Sequence, residues 1–311
     1  MNDSLLKALS CQPQDRPPIW IMRQAGRYLP EYRQLREKFS FQTLIHTPSL
    51  AVEITTLPIR LLHFDAAILF SDILVICEVF GWSIHFKEGK GIWLKAPHIP
   101  IEYSVKETLH YVFETITLLK QTLQVPLIGF CGGPYTICRY MHNINHEWLE
   151  KITAATIEYL ELQIKAGVDA IQIFDSWAGL LPPEEFQTLA LPYLKRLVSA
   201  VQSKGVKVIV FCRGSSRFIP ELISLSPSAI GFDWEKDLSQ IILDIPSSIA
   251  IQGNLNPTLL KAPRADLKRQ VDRILSEVKG RPGYIFNLGH GIEPDTPVEN
   301  VKWLVDYIQG I

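Results

Sequence analysis

Short runs of Ile, Val, Leu and Phe recur along the whole chain. Each gives way to a few polar or glycine positions and then to a stretch in which apolar residues return at three- and four-residue steps. The runs predict strands near 18–22 (PIWIM), 66–70 (AAILF), 127–131 (LIGFC), 170–174 (AIQIF), 206–211 (VKVIVF), 229–232 (AIGF), 249–252 (IAIQ) and 284–287 (YIFN). The stepped stretches, Glu147 to Ala166, Pro183 to Ser203, Asp266 to Lys279 and Val298 to Ile308, predict amphipathic helices. Roughly eight strand–helix units with no break in composition predict an α/β chain closed into a (β/α)8 TIM-type barrel rather than a doubly wound sheet. The segment from Glu78 to Glu107 interrupts the alternation. Its Gly81, Gly89 and Gly91 mark turns, so an excursion between two barrel units is expected there. No linker, repeat or low-complexity tract divides the chain, and a single domain over residues 1–311 is expected.

Composition changes this picture little. At 311 residues with 47% hydrophobic and 20% charged positions, the chain can build one large core. A formal net charge of −1 offers no general attraction for nucleic acid or an acidic membrane, so any anion site must be assembled locally from Arg or Lys. The five cysteines, Cys11, Cys77, Cys131, Cys138 and Cys212, are scattered and odd in number, and read as reduced, mostly packed thiols. The start, MNDSLLKALS, lacks a signal-peptide pattern, and the most apolar stretch, Phe64 to Trp82, contains Asp65, Asp72 and Glu78. A cytoplasmic enzyme is expected, without membrane or nucleic-acid partners.

In a βα barrel the active site lies at the C-terminal ends of the strands, so the residues that follow each apolar run are the informative ones. Here they are Arg23, then Ser71 and Asp72, Gly132 and Gly133, Asp175 and Ser176, Arg213, Asp233, Gly253 and Asn254, and finally Gly289 and His290. Such a ring suits an anionic substrate. The densest cluster is MRQAGRYLPEYRQLREK, with Arg23, Arg27, Arg33 and Arg36 close together. Arg grips carboxylates bidentately and keeps its charge at any working pH, so a substrate with several carboxylates is indicated. Arg23 and Arg27 flank Gly26 as the chain leaves a strand and are the functional candidates, whereas Arg33 reads as part of a solvated helix face. Asp72, set between apolar runs in LFSDIL, is costly to bury and becomes a functional candidate for that reason. His290 stands between glycines that permit a tight turn, and reads either as a ligand-facing or as a satisfied turn histidine. His142 and His146 share a helical spacing but have no third ligand nearby, so no metal is expected there. No Lys follows a strand end, and no Gly-x-Gly-x-x-Gly or P-loop pattern occurs, so neither a Schiff base nor a nucleotide is indicated.

With those residues identified, the chain resembles the uroporphyrinogen decarboxylase family over nearly its whole length. PIWIMRQAGRYLPE at 18–31 is similar to the family's N-terminal signature. FSDIL at 70–74, GFCGGPYTICRYM at 129–141, DSWAG at 175–179, QGNLNP at 252–257 and FNLGHGIEPDTP at 286–297 follow in family order. The resemblance implies cofactor-independent conversion of uroporphyrinogen III to coproporphyrinogen III, with four acetates becoming methyls, by a homodimer with no metal. It implies that Arg23, Gln24, Ala25, Gly26, Arg27 and Arg36 bind substrate and that Asp72 contacts the pyrrole N–H groups. It further implies that Tyr140, Ser176 and His290 line the cleft, with Asp72, Arg23 and Tyr140 catalytic. After Met141 the chain reads HNINHEW where many members have a Glu and a Gly-rich stretch. The proton donor stays open among Arg23, a neighbouring Tyr, water and a substrate carboxyl. The other readings are a zinc-dependent cobalamin or coenzyme methyltransferase and a non-catalytic tetrapyrrole carrier. The first is disfavoured because the strand ends FCRG with no Cys after Cys212, the second because a polycarboxylate carrier gains nothing from Asp72.

Overall fold

The computed structural model describes residues 2–87, 91–99, 101 and 103–310, so the predicted turn residue Gly89 lies outside the described residues. Seven parallel strands form one sheet in the order β1 (Ala67–Ile68), β4 (Leu127–Gly132), β5 (Ala170–Phe174), β6 (Lys207–Phe211), β7 (Ala229–Gly231), β8 (Ala250–Leu255) and β9 (Tyr284–Leu288). Ile171 pairs with Val208, Ile209 with Ala229 and Ile230 with Ile251. β4, β7, β8 and β9 are buried at every position, as parallel strands are when both faces are covered. The excursion is an antiparallel hairpin of β2 (Ser83–Lys87) and β3 (Gly91–Lys95).

The sheet is curled. The Trp20 indole N–H donates to Gln252 Oε1 on β8 at 3.0 Å, and Gln252 Nε2 donates to Gln172 Oε1 on β5 at 3.1 Å. β5 and β8 are separated by two strands in the sheet order, so their inward side chains meet only across a concave interior. The Gln172 and Gln252 amides share this interior with apolar neighbours such as Phe130 and Ile209, and their bonds to each other and to Trp20 are what make their burial affordable.

The expected first strand, 18–22, is reduced to a single parallel bridge between Ile19 and Phe286. Phe286 N donates to Pro18 O at 2.9 Å and Asp65 N to Ile19 O at 2.9 Å. Pro17 and Pro18 have no N–H to continue a ladder, and the chain turns at once through Gln24 N to Ile21 O. β8 corrects the expectation in the other direction, because it runs on to Leu255 and takes Gly253 and Asn254 into the strand.

Helices cover the outside of the sheet. His146–Ala166 is capped by the Asn145 side chain accepting from Trp148 N, and ends at Gly167 with φ +116°. The predicted helix Pro183–Ser203 is two, Pro183–Leu189 and Leu191–Ser203, separated at Ala190. Pro192 lacks an N–H and is tolerated only in a first turn, so a new helix starts there.

Below β1, at the end of the sheet away from the candidate site, Asp65 ties the chain together. Its buried carboxylate accepts two bonds from Arg16 (2.7 and 2.9 Å), one from Ile19 N (2.9 Å) and one from Asn2 Nδ2 (2.7 Å). Burial opposes the charge, but these donors hold Asp65 below the usual carboxylate range. Its contribution to stability is therefore present above the unfolded carboxylate's value and lost as pH falls through the lower folded value. Asp65→Asn should destabilise the fold by about 2–4 kcal/mol in urea unfolding at pH 7, less than for a fully buried pair because Arg16 reaches solvent. The difference should shrink as pH falls below about 4. A variant equal to the parent at pH 7 would remove Asp65 from this role.

Candidate active site

The loop after Met22 is built to present arginines. Met22 N donates to Asn287 Oδ1 on β9 at 3.1 Å, and Arg23 then takes φ +64°, in the left-handed region that a non-glycine enters at a cost of roughly 1–2 kcal/mol. The Gln24 side chain is fully buried, with Oε1 accepting from Ile21 N (3.3 Å) and Nε2 donating to Ala66 O (3.0 Å). The Tyr28 hydroxyl donates to Gln24 O at 2.8 Å. A Cβ at Gly26 would lie 2.7 Å from Arg23 O, so the tight return needs glycine. Arg33 lies exposed on the helix Pro30–Lys38, as expected, and in addition donates to the carbonyls of Arg27 (2.9 Å) and Tyr28 (3.1 Å). The loop is thus held from inside while the Arg23 and Arg27 side chains stay exposed and Ala25 lies half-buried between them. Arg36 sits towards the hairpin, donating to Phe39 O (2.8 Å) with its guanidinium 5.9 Å from the Phe41 ring centre and 5.5 Å from that of Phe86.

Asp72 follows the end of β1. Its Oδ1 accepts from Leu74 N at 2.8 Å, and no ion pair engages it among the described residues. Burial pushes its carboxyl above the usual range and Glu78 adds to this, against the pull of the Leu74 N–H and of Arg23. Arg23 also contributes to the shift at His290, so one arginine acts on the residues that follow β1 and β9.

Asp175 is enclosed rather than open to a ligand. Its Oδ1 accepts from Thr136 N at 2.9 Å, and burial pushes it up to about 6. A Cβ at Gly133 would lie 2.2 Å from Asp175 Cγ, and Trp177 N donates to Thr136 Oγ1 at 3.0 Å. These contacts lock the loops after β4 and β5 together. They leave Ser176 half-buried and set Tyr140 edge-on to Trp177 at 6.3 Å between ring centres.

On the far side Arg213, just beyond β6, is exposed. Asp233 secures the neighbouring loops by accepting from Gly214 N and from Glu235 N (3.2 Å), and Asn254 Nδ2 donates to Asp233 O (2.9 Å) and Lys236 O (2.8 Å). His290 lies close by. Burial lowers it to about 4, with Arg23 and Arg213 adding to the shift, so its imidazole is neutral at pH 7. A Cβ at Gly291 would lie 2.5 Å from Arg23 Cδ, and Lys261 pins the loop through Glu293 (2.6 Å) and Asp295 (3.2 Å).

Electrostatics therefore couples Arg23, Asp72, Arg213 and His290, while Tyr140 and Ser176 stand on loops locked by Asp175. Arg36 belongs to the hairpin side. Arg213 was legible as a strand-end residue but not as a partner of His290. Asn287, which fixes Met22, and Gly179, whose Cβ would lie 1.6 Å from Arg213 O, were visible only as motif letters. His142 and His146 do not share a helix face. His142 has φ +52° in the turn before the helix, and His146 Nδ1 lies 2.9 Å from the Tyr193 hydroxyl. All five cysteines are free thiols, four of them buried. Among the described residues no helix is long and apolar enough to cross a membrane.

A family model described as "Uroporphyrinogen decarboxylase (URO-D)" matches residues 1–311. The chain is 44% identical to the uroporphyrinogen decarboxylase of Protochlamydia amoebophila, over 99% of this chain and 92% of that one. It is 41% identical to that of Desulfotalea psychrophila, over 99% and 98%. Among solved structures, a methyltransferase from Methanosarcina mazei superposes with a TM-score of 0.83 at 20% identity, over 99% of this chain and 98% of that one. That similarity is one of fold.

Proposed function

The chain belongs to the uroporphyrinogen decarboxylase family, and from that premise we propose that its strand-end site removes carbon dioxide from the four acetates of uroporphyrinogen III to give coproporphyrinogen III, without a cofactor. The observation that carries the site assignment is Asp72, a half-buried carboxylate beyond the end of β1 with no ion-pair partner among the described residues, within the field of Arg23. A carboxylate partly withdrawn from water and left unpaired is costly, and is accounted for if a cationic ligand group completes it.

An acetate on a pyrrole has no electron sink. A proton added to the adjacent ring α-carbon creates an iminium. The bond to the carboxylate then breaks, carbon dioxide leaves, and its electron pair neutralises the iminium as an exocyclic methylene. A second proton on that methylene gives the methyl, and loss of the ring proton restores the pyrrole, so each cycle consumes one proton. Asp72 faces the pyrrole N–H groups and stabilises the ring cation, a fixed charge that needs no reorganisation. Arg23 and Arg27 dock the carboxylates that are not reacting, with Arg36 engaging those on the hairpin side. Ala25 and Gly26 shape the loop, and Gln24 holds it through its buried amide. Neutral His290 and Ser176 hydrogen-bond the ring substituents, and Tyr140 walls the site. The proton donor is drawn from water, a substrate carboxyl or Tyr140, since an Arg holds its proton too tightly.

The bonds of residues 18–22 to both Phe286 and Asp65 support their role as the eighth stave that closes the sheet into a barrel, with residues 1–311 as one domain. The homodimer and the cytoplasmic location are carried over from the family resemblance. Burial pushes the Cys212 thiol well up, and the exposed Arg213 follows it, so these positions do not favour the methyltransferase reading.

Purified, chelator-treated protein incubated anaerobically with uroporphyrinogen III should yield, by chromatography, products with successively fewer carboxylates down to four. Unchanged substrate beside folded protein would sink the assignment. Tight binding without turnover would favour the carrier reading.

A further inference from the structure

Arg23 and Arg27 stand exposed, but Arg36, in the last turn of helix Pro30–Lys38, is half-buried. What encloses it is aromatic. Its guanidinium carbon lies 5.5 Å from the centre of the Phe86 ring and 5.9 Å from that of Phe41, and the two rings are themselves 5.8 Å apart. Phe41 opens the short helix Phe41–His46, whereas Phe86 comes from β2 of the hairpin. Phe41 also packs edge-on against Phe70 at 5.8 Å, and Phe70 stands just beyond β1, two residues before Asp72. The rings thus run from the hairpin to the strand end that carries Asp72.

Strand alternation places Ile84 and Phe86 on one face of β2. Ile84 is 5% exposed and reaches the core, while Phe86 is 36% exposed and extends past its margin, over Arg36. A leucine would cover that margin equally well. What an aromatic residue adds there is a ring face, whose negative quadrupole attracts a cation without neutralising it. The guanidinium presents a fork of N–H donors, and one of its nitrogens, Nη1, donates to Phe39 O at 2.8 Å. No carboxylate pairs with Arg36 among the described residues, so its charge and most of its fork are left for a ligand.

We propose that Phe41 and Phe86 are positioning residues: they hold the Arg36 guanidinium in place for a substrate carboxylate, which makes the hairpin part of the substrate site. The inference rests on the assignment of Arg36 to substrate binding. A free arginine side chain loses rotamer freedom when it grips a ligand, and one already fixed against two rings loses less. A carboxylate partner in the protein would have fixed it too, but by neutralising the charge that a substrate carboxylate needs. Arg36 docks groups that do not react, so its grip is the same in the bound substrate and in the transition state. Loss of a ring therefore raises KM and leaves kcat near that of the parent.

The test measures kcat and KM for uroporphyrinogen III, under anaerobic conditions, in the full-length protein. Phe86 is the cleaner probe, since Phe41 also supports Phe70. Phe86→Leu should raise KM about two- to five-fold, the scale of one partly exposed contact between a cation and a ring, and Phe86→Tyr should restore it. In an Arg36→Gln background Phe86→Leu should change KM no further. A merely structural role for Phe86 would give the same change in both backgrounds. An unchanged KM in Phe86→Leu, a fall in kcat alone, or effects that add in the double variant each overturn the proposal. So do Arg36 side-chain proton signals of the parent that show no upfield shift from the ring currents of Phe41 and Phe86, a measurement that needs no variant to fold. A parent protein that leaves uroporphyrinogen III unchanged overturns the decarboxylase reading, whereas turnover with additive or absent effects of the variants overturns the positioning role alone.

Discussion

Asp72→Asn should fold normally and lose turnover by about 10²–10³-fold, the scale on which one preorganised electrostatic partner contributes to a rate. The amide keeps the shape and can still accept from Leu74 N. What it loses is the charge that stabilises a protonated pyrrole. Because burial raises the Asp72 carboxyl, the folded state binds its proton more tightly than the unfolded chain does, so the charge opposes folding above the folded value and not below the unfolded one. The asparagine variant should therefore be at least as stable as the parent at pH 7 and lose that advantage in acid. Thermal melts at two pH values and single-turnover product analysis check both halves. Turnover within a few-fold of the parent would reject the electrostatic role, and a large drop in melting temperature would assign Asp72 to the fold instead.

Gly179→Ala should be the most damaging small substitution near the site. The new Cβ would stand 1.6 Å from Arg213 O, 2.7 Å from its carbonyl carbon and 3.2 Å from Cys212 Cβ. The first two obstacles are backbone, which cannot swing aside as a side-chain tip can, so the ends of β5 and β6 must separate. A loss of about 3 kcal/mol or more is expected in urea unfolding. Any folded fraction should bind substrate poorly, because the Arg213 end of the site moves away from His290. Stability within about 1 kcal/mol of the parent would contradict the close approach. The same reasoning marks Gly133, whose Cβ would meet Asp175, as the counterpart between β4 and β5.

These two residues mark how far the sequence could be read. Asp72 was identifiable beforehand because a carboxylate inside an apolar run is anomalous wherever the run packs. Gly179 was not, since a glycine in a loop looks alike whether it turns the chain or admits a neighbouring carbonyl. Arg33 read as a solvated helix charge and is exposed on its helix, but its bonds to two loop carbonyls could not be read from the sequence. His46 and Glu78, thirty-two positions apart, carry no shared local signal, and only the packing of two short helical turns brings them to 3.0 Å. The 18–22 run kept its position but not its ladder, because two prolines removed the donors.

Sequence by itself determined the periodic alternation of strand and helix, the polar strand ends, the arginine-rich loop and the family motifs. All of these are properties of neighbouring residues: a strand's apolar run and a helix's stepped stripe follow from local spacing, and an Arg or Asp keeps its chemistry wherever the chain carries it. Tertiary structure alone decided that Trp20, Gln252 and Gln172 meet across a curled interior, that Arg23 acts on both Asp72 and His290, and that His46 meets Glu78. Such contacts depend on curvature, strand order and burial, and the strength of each charge depends on the depth at which folding leaves it.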